Sequence, residues 1–410
     1  MTWRPWLTDL QTGFLRVPVD IPQFSWSVTV KDTALVTTPD HGVGNFFETA
    51  ATGLTIPLGD LPATTSAERF SLIAPGRTGL ALLWETEQDH RDSRPGTPLL
   101  WGGIDVPETT PKDVSFALQS IYQLMAERYL INERKFENGK STNKIVWNNY
   151  SKRALAAKAG KFALSKPGGQ LPIDWQYLNE KHIRQAGDDS TAYRLAISAW
   201  NVGNSSVQHW YDELSSGADG VDLQFRPYLT EDQQHVRSLF VAGSDNEHYL
   251  NQSSFNAFQW TPQGGTCEAV SVKFTKPINR VYATGSGTDA GTLTGFAEDL
   301  ALLNKDIGYG IVEEAISNTD LNAASSVKSL AKGMLGGNSR PRMQISFDWF
   351  LNDNGVPSIG SFWPGEELSL YLEDYPFLPD GTYKLRAQQF SGDRSAKVHV
   401  VTDIVRTPYE

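Results

Sequence analysis

Period-two alternation of apolar and polar residues, broken at short intervals by Gly, Pro, Asp and Thr, most narrows what this chain can become. In "QFSWSVTV", Phe24, Trp26, Val28 and Val30 alternate with Ser25, Ser27 and Thr29, the pattern of a half-buried strand. Near the far end, Tyr383, Leu385 and Ala387 share one face and Lys384, Arg386 and Gln388 the other. Asp380-Gly381 opens that strand, Ser391-Gly392-Asp393 reverses it, and Ala396, Val398 and Val400 repeat the alternation on an expected antiparallel partner. Between residues 1 and 118 the runs "GLTIPL", "GLALLW", "PLLWGGI" and "DVSFAL" are spaced by turn residues, so this part reads as almost all β.

The period changes after Leu118. Ile121, Tyr122, Met125 and Tyr129 fall at helical spacing, and the polar stretch 132–144 reads as an exposed loop. "NNYSKRALAAKAGKFAL" is an alanine-rich helix ending before Pro167-Gly168-Gly169. In "NSSVQHWYDELSSG", Val207, Trp210, Tyr211 and Leu214 form an apolar stripe behind a Ser or Asn cap, with Gly217 beyond the end. Burial of that stripe predicts a loss of about 3 to 5 kcal/mol for Trp210→Ala. "GVDLQFRPYL" and "HVRSLFVAG" form a hairpin, and "AVSVKF" returns the chain to β structure with Val270, Val272 and Phe274. One late helix is expected at about 320–335, capped by Asp320, striped by Leu321, Ala324, Val327, Leu330, Ala331 and Met334, and stopped by Gly336-Gly337. The strands "RMQISFDWFL" and "GEELSLYLED" precede the closing hairpin.

Composition excludes several functions. With 36 basic against 47 acidic residues and a net charge of -11, the chain has the wrong sign for gripping phosphate backbones or anionic lipid. No apolar run approaches the roughly 18 residues of a membrane helix, and "MTWRPWLTDLQTG" lacks a signal-peptide core, so a soluble protein made in the cytoplasm is expected. Cys267 is the only cysteine, which rules out an intrachain disulfide.

No motif carries chemistry. "TGSGTDAGTLTG", Thr284 to Gly295, lacks the Gly-Lys-Ser/Thr of a phosphate loop and reads as a glycine-rich connection. Histidines 41, 90, 182, 209, 235, 248 and 399 show no metal-ligand spacing, and His209 reads as a surface or boundary residue. Cys267 begins an alternating strand and reads as core. Asp245, Glu247 and His248 lie close in sequence, but paired glycosidase carboxylates must face each other across a substrate, so a solvated turn is expected. Asp353, Asn354 and Gly355 lack the remaining calcium-loop ligands and read as a β-turn. The 12 tryptophans mostly alternate with other apolar residues and are expected in the core or at subunit contacts. No catalytic, cofactor-binding or metal-binding residue is assigned, and no cofactor is expected.

The order of these features resembles the tail hub proteins of long-tailed bacteriophages, also called baseplate hub or minor tail proteins. "FWPGEELSLYLED" is similar to that family's Pro-Gly-acidic turn, at Pro364, Gly365 and Glu366, with Glu where Asp is more usual. "LPDGTYKLRAQQFSGDRSAKVHVV" resembles its closing hairpin at Asp380, Gly381, Tyr383, Arg386, Ser391, Gly392 and Asp393. "LLWGGIDVPETTPKDVSFALQSIYQLMAERYL" resembles the exit from the first β domain, and "VYATGSG" the return. The resemblance implies a β-rich α+β multidomain fold: two tail-tube-like antiparallel β domains, 1–118 and 246–410, with an inserted α/β domain at 119–245. It further implies a non-enzymatic virion protein at the tail tip, a homotrimer whose six tube-like units form a ring. Its implied partners are the tail tube or distal tail protein, the tape measure protein, a central spike or fibre, and receptor-binding proteins. DNA would pass through the lumen without specific binding, which the acidic balance suits. The competing expectation, prompted by the tryptophans and by the carboxylates near His248, is a glycan-binding or glycan-cleaving β-rich protein.

Overall fold

The computed structural model describes the chain apart from residues 37–53, 138–139, 142–143, 184–192, 199–204, 217–219, 251–257, 304–307, 320, 353–354 and 409–410. His41, Gly217, Asp320, Asp353 and Asn354 therefore lie outside the described residues. The fold is β-rich, with several antiparallel sheets, and divides into two compact units. One comprises residues 1–260, 348–369 and 386–400; the other comprises 261–347, 370–385 and 401–410.

The first unit is built on a five-stranded antiparallel sheet in the order Leu118–Ser120, Thr97–Ile104, Thr78–Glu85, Thr2–Asp9, Leu15–Pro18. Thr78–Glu85, which contains "GLALLW", is buried at every position because the sheet is covered on both faces, so its sequence runs continuously apolar instead of alternating. Residues 1–118 also contain two helices, Ser66–Ile73 and Glu87–Arg91, which corrects the almost-all-β reading. Each starts in a reciprocal cap, Thr65 with Glu68 and Thr86 with Asp89, and this four-residue signal was legible in the sequence.

Phe24, Trp26 and Val28 are buried as their alternation required, but Ser27, expected on the polar face, is buried as well and Val30 is only half-buried. Their strand, Ser25–Thr29, pairs with Thr33–Val36 and also with the closing hairpin, from Gln389 opposite Thr29 to Gly392 opposite Trp26. The turn that follows is stitched to the same region. Trp3 Nε1 donates to the Ser395 carbonyl at 2.9 Å, Trp26 Nε1 to the Asp393 carbonyl at 3.2 Å, and Arg394 to the carbonyls of Ile21 and Pro22, each at 2.9 Å.

Within 119–245 the helix Ile121–Leu124 tightens into a 3₁₀ turn ending at Glu127, so Tyr129 lies beyond it and is exposed. The polar stretch read as a loop holds a 3₁₀ turn, Glu133–Lys135, and an antiparallel pairing of Phe136–Glu137 with Lys140–Ser141. Lys152–Leu164 and Val207–Ser215 form the two expected helices, capped by Ser151 and Ser206. Val207, Tyr211 and Leu214 are buried, whereas Trp210 is only half-buried at the edge of the stripe. The expected hairpin is Leu223–Leu229 with Val236–Ala242, and Ile173–Trp175 runs parallel to the second strand. Trp175, Tyr211, Phe225 and Phe240 form an aromatic core, close against which Gly160 brings the first helix. A Cβ at Gly160 would sit 2.1 Å from the Trp175 ring and 2.4 Å from the Tyr211 hydroxyl.

In the second unit Arg280–Thr284 lies between an antiparallel Thr294–Glu298 and a parallel Glu313–Ser317. The helix Ala324–Asn338 covers one face of this sheet, with Val327, Ala331 and Leu335 against Val281, Ala283 and Ala297. It starts later than expected and runs through Gly336 and Gly337, so Leu321 precedes it. Both glycines face open space, and the Asn338 side chain holds the last turn by donating to the Met334 carbonyl at 2.9 Å. Gly295, in the glycine-rich stretch, lets the helix approach: a Cβ there would lie 2.7 Å from the Val327 carbonyl oxygen.

A further sheet has the strand order Glu367–Leu372, Gly381–Gly392, Lys397–Arg406, Arg342–Phe350, and Glu268–Thr275 lies at the edge beside the last. Leu385, Ala387, Val398 and Val400 are buried, as the alternation required.

Candidate assembly surfaces

The sequence candidates for chemistry make contacts within the fold. Asp245 Oδ1 accepts from the Lys152 amide at 2.9 Å, at the start of the helix Lys152–Leu164, and its Oδ2 lies 2.7 Å from His182 Nδ1. Glu247 donates its amide to Ser244 Oγ at 2.9 Å, and the His248 carbonyl accepts from the Asp222 amide at 2.9 Å. The turn is thus more built-in than a solvated one, and its carboxylates are not arrayed across a cleft. Cys267 is buried, and that burial pushes its thiol up to about 12. His90, His209, His235 and His399 each lie against a carboxylate, that of Glu85, Glu213, Asp232 and Asp348 respectively. His209 is half-exposed, a boundary residue as read from sequence. Trp3, Trp26, Trp84, Trp101, Trp260, Trp349 and Trp363 are buried. Among the described residues no three His, Cys, Asp or Glu converge as metal ligands, and no helix is long and apolar enough to cross a membrane.

The Pro-Gly-acidic turn anchors a buried polar knot that sequence reasoning missed. Arg226 lies 2.9 Å from the wholly buried Glu366. Gln224 accepts from Arg226 Nε at 2.6 Å and donates to the Pro364 carbonyl at 3.1 Å. Arg386 donates to the Gly365 carbonyl at 3.0 Å and pairs with Asp222. Burial raises the Glu366 carboxyl to about 7, against the opposing pull of Arg226. The only signal was the polar residues Asp222, Gln224 and Arg226 interleaved in an apolar strand, which alternation alone assigns to solvent.

Exposed apolar residues occur at several places, including two in the second unit. The strand Glu268–Thr275 has no fully buried residue, and Phe274 is 46% exposed. Phe274 opens onto a groove shared with Pro277, Tyr309, Ile311, Val312 and Pro341. On the face of the three-stranded sheet away from its helix, Tyr282 and Phe296 stand exposed with ring centroids 5.5 Å apart, flanked by Arg280 bridged to Glu298 and Glu313. An open sheet edge and an exposed apolar face are features that commonly accompany association.

Comparison with known proteins returns tail proteins. The chain is similar to a 43 kDa tail protein of prophage MuSo2 from Shewanella oneidensis, at 11% identity and a TM-score of 0.46, over 98% of each chain. It is similar to a tail protein from Neisseria meningitidis at 7% identity and a TM-score of 0.46, over 98% of this chain and 96% of that one. It is also similar to prophage tail protein gp18 from Listeria monocytogenes, at 9% identity and a TM-score of 0.40, over 98% and 94% of the two chains. No protein-family model and no curated protein matches.

Proposed function

We propose that this chain is a structural hub protein of a phage-type tail tip, acting by self-association without catalysing a reaction. The observation that carries this reading is the strand Glu268–Thr275. Eight residues of β structure lie at a sheet edge with none of them fully buried, beside an apolar groove. Such a strand is an aggregation hazard unless another chain covers it, and a closed ring covers each copy with the next.

In the full reading, residues 1–118 and 246–410 supply two tube-like β domains and 119–245 the inserted domain. Three copies form a ring that joins the tail tube or distal tail protein and the tape measure protein to a spike, fibre or receptor-binding proteins. DNA passes through its bore unbound, and the protein resides in the virion after synthesis in the host cytoplasm. Against the glycan reading stand the burial of most of the tryptophans and the engagement of Asp245 by a helix start and by His182.

Sedimentation of the purified chain with imaging of the particles tests this reading. A threefold mass and ring-shaped particles are expected. A monomer at every concentration, or turnover of a cell-wall polysaccharide, would overturn it.

A further inference from the structure

Residues 140–184 carry nine Lys and Arg against two Asp and Glu, an excess of seven positive charges on a chain whose net charge is -11. Part of this excess is held on one small surface. Lys158 projects from the helix Lys152–Leu164 over two rings, with its ammonium 5.4 Å from the Trp147 centroid and 4.5 Å from that of Tyr150. Lys181 places its ammonium 3.3 Å from the Tyr150 centroid, and Phe162 meets Trp147 edge-on. Hydrogen bonding to Lys181 and the charge of Lys158 hold the Tyr150 phenol below its ordinary value, the mark of a locally positive field. Lys161, one turn beyond Lys158, is exposed. Among the described residues Lys158, Lys161 and Lys181 lie against no carboxylate. Rings that fix ammonium groups reduce the side-chain entropy lost when those groups meet an anion.

The same chain presents a matching surface. The loop 373–380 exposes Glu373, Asp374 and Asp380 around Phe377, which is 64% exposed. The loop is preorganised: the Asp374 amide donates to Asp380 Oδ1 at 2.8 Å, Tyr383 Oη donates to the Pro379 carbonyl at 2.6 Å, and Leu378 is buried beneath it. Its three carboxylates and aromatic tip complement the lysines and rings of 147–181 in both charge and apolar character.

We infer that the acidic loop 373–380 of one copy docks on the lysine-and-aromatic surface of Trp147, Tyr150, Lys158, Lys161 and Lys181 of another, a head-to-tail contact that rotational symmetry can close. The inference rests on the self-association proposed above and names a contact that supports it. Base or sugar stacking fits this surface less well, because ammonium groups already lie over the Trp147 and Tyr150 rings.

The test is sedimentation of the full chain at about 0.1 M and about 0.5 M salt, where screening differs strongly. Lys158→Glu/Lys161→Glu is expected to weaken association by about tenfold or more at the lower salt, with an unchanged circular dichroism spectrum. Phe377→Ser, at an exposed position, is expected to weaken association at both salts. Adding Glu373→Lys/Asp374→Lys to the lysine variant is expected to recover part of the loss. An undiminished trimer in the lysine and Phe377 variants would overturn this contact and leave the hub reading standing, whereas a monomeric wild type would overturn both. Unchanged mass together with loss of duplex DNA binding in the lysine variant would assign the surface to a polyanion and overturn the inference.

Discussion

Two strands of eight residues show how differently this molecule spends its apolar residues. Thr78–Glu85 is paired on both sides, by Thr2–Asp9 and Thr97–Ile104, and every residue is buried. Glu268–Thr275 lies at an edge and buries none fully. Leu80, Leu82 and Leu83 each contribute on the order of 1.5–3 kcal/mol by leaving water, whereas Val270, Val272 and Phe274 stay at least partly solvated. The first strand serves folding. In the proposed ring the second would gain its full burial from a neighbouring copy, so it would report on association.

The sharpest way to break this division is at the buried polar knot of the first unit. Arg226→Ala leaves Glu366 buried without its counter-charge and should cost about 3–5 kcal/mol in chemical denaturation. A loss below about 1 kcal/mol would mean that water reaches the site. The same pair has a pH signature. The Glu366 carboxyl is raised from 4.5 to about 7, so the folded chain binds its proton first. Stability from this site is therefore present near and below 4.5 and is lost as pH rises through 7. Glu366→Gln should remove that slope between roughly pH 5 and 7. An identical slope in the variant would assign it to other groups.

Truncation compares the two strands directly. Leu82→Ala should cost about 2–5 kcal/mol, and Val272→Ala less than about 1 kcal/mol in the isolated chain. Val272→Lys should then weaken association while leaving the melting temperature of the monomer within a few degrees. Equal stability losses for Leu82→Ala and Val272→Ala would erase the distinction.

Gly295→Ala forces a Cβ against the Val327 carbonyl and should cost about 1–3 kcal/mol, read from the melting of the second unit. Trp210→Ala belongs below the range expected of a buried aromatic, at about 1–3 kcal/mol, because the indole is only half-buried. The smallest signal is at Cys267. Its buried thiol, pushed up to about 12, should resist alkylation near pH 8 until the chain unfolds.

Local physics was legible wherever one residue's fate depended on near neighbours. The alternation at 385–400, the helix with its stripe at 207–214, and the hairpin of 223–242 appear, because side-chain period and capping chemistry act within a few residues, whereas at 24–28 Ser27 is buried with its apolar neighbours. Even the misses at Thr65–Glu68 and Thr86–Asp89 left a local trace. Arg226 was different. Its neighbours in sequence place it on a solvent face, and the counter-charge that makes its burial tolerable, Glu366, comes 140 positions later.

From its sequence alone this chain was bound to become β-rich, with turns where Gly, Pro and Asp punctuate it and helices where the period lengthens. The tertiary structure alone decided that Ser25–Thr29 pairs with residues 389–392, that Glu366 is buried against Arg226, and that Glu268–Thr275 stays open while "GLALLW" does not. The reason is that period determines which side chains share a face. What covers that face depends on contacts between residues hundreds of positions apart, about which local pattern carries no information.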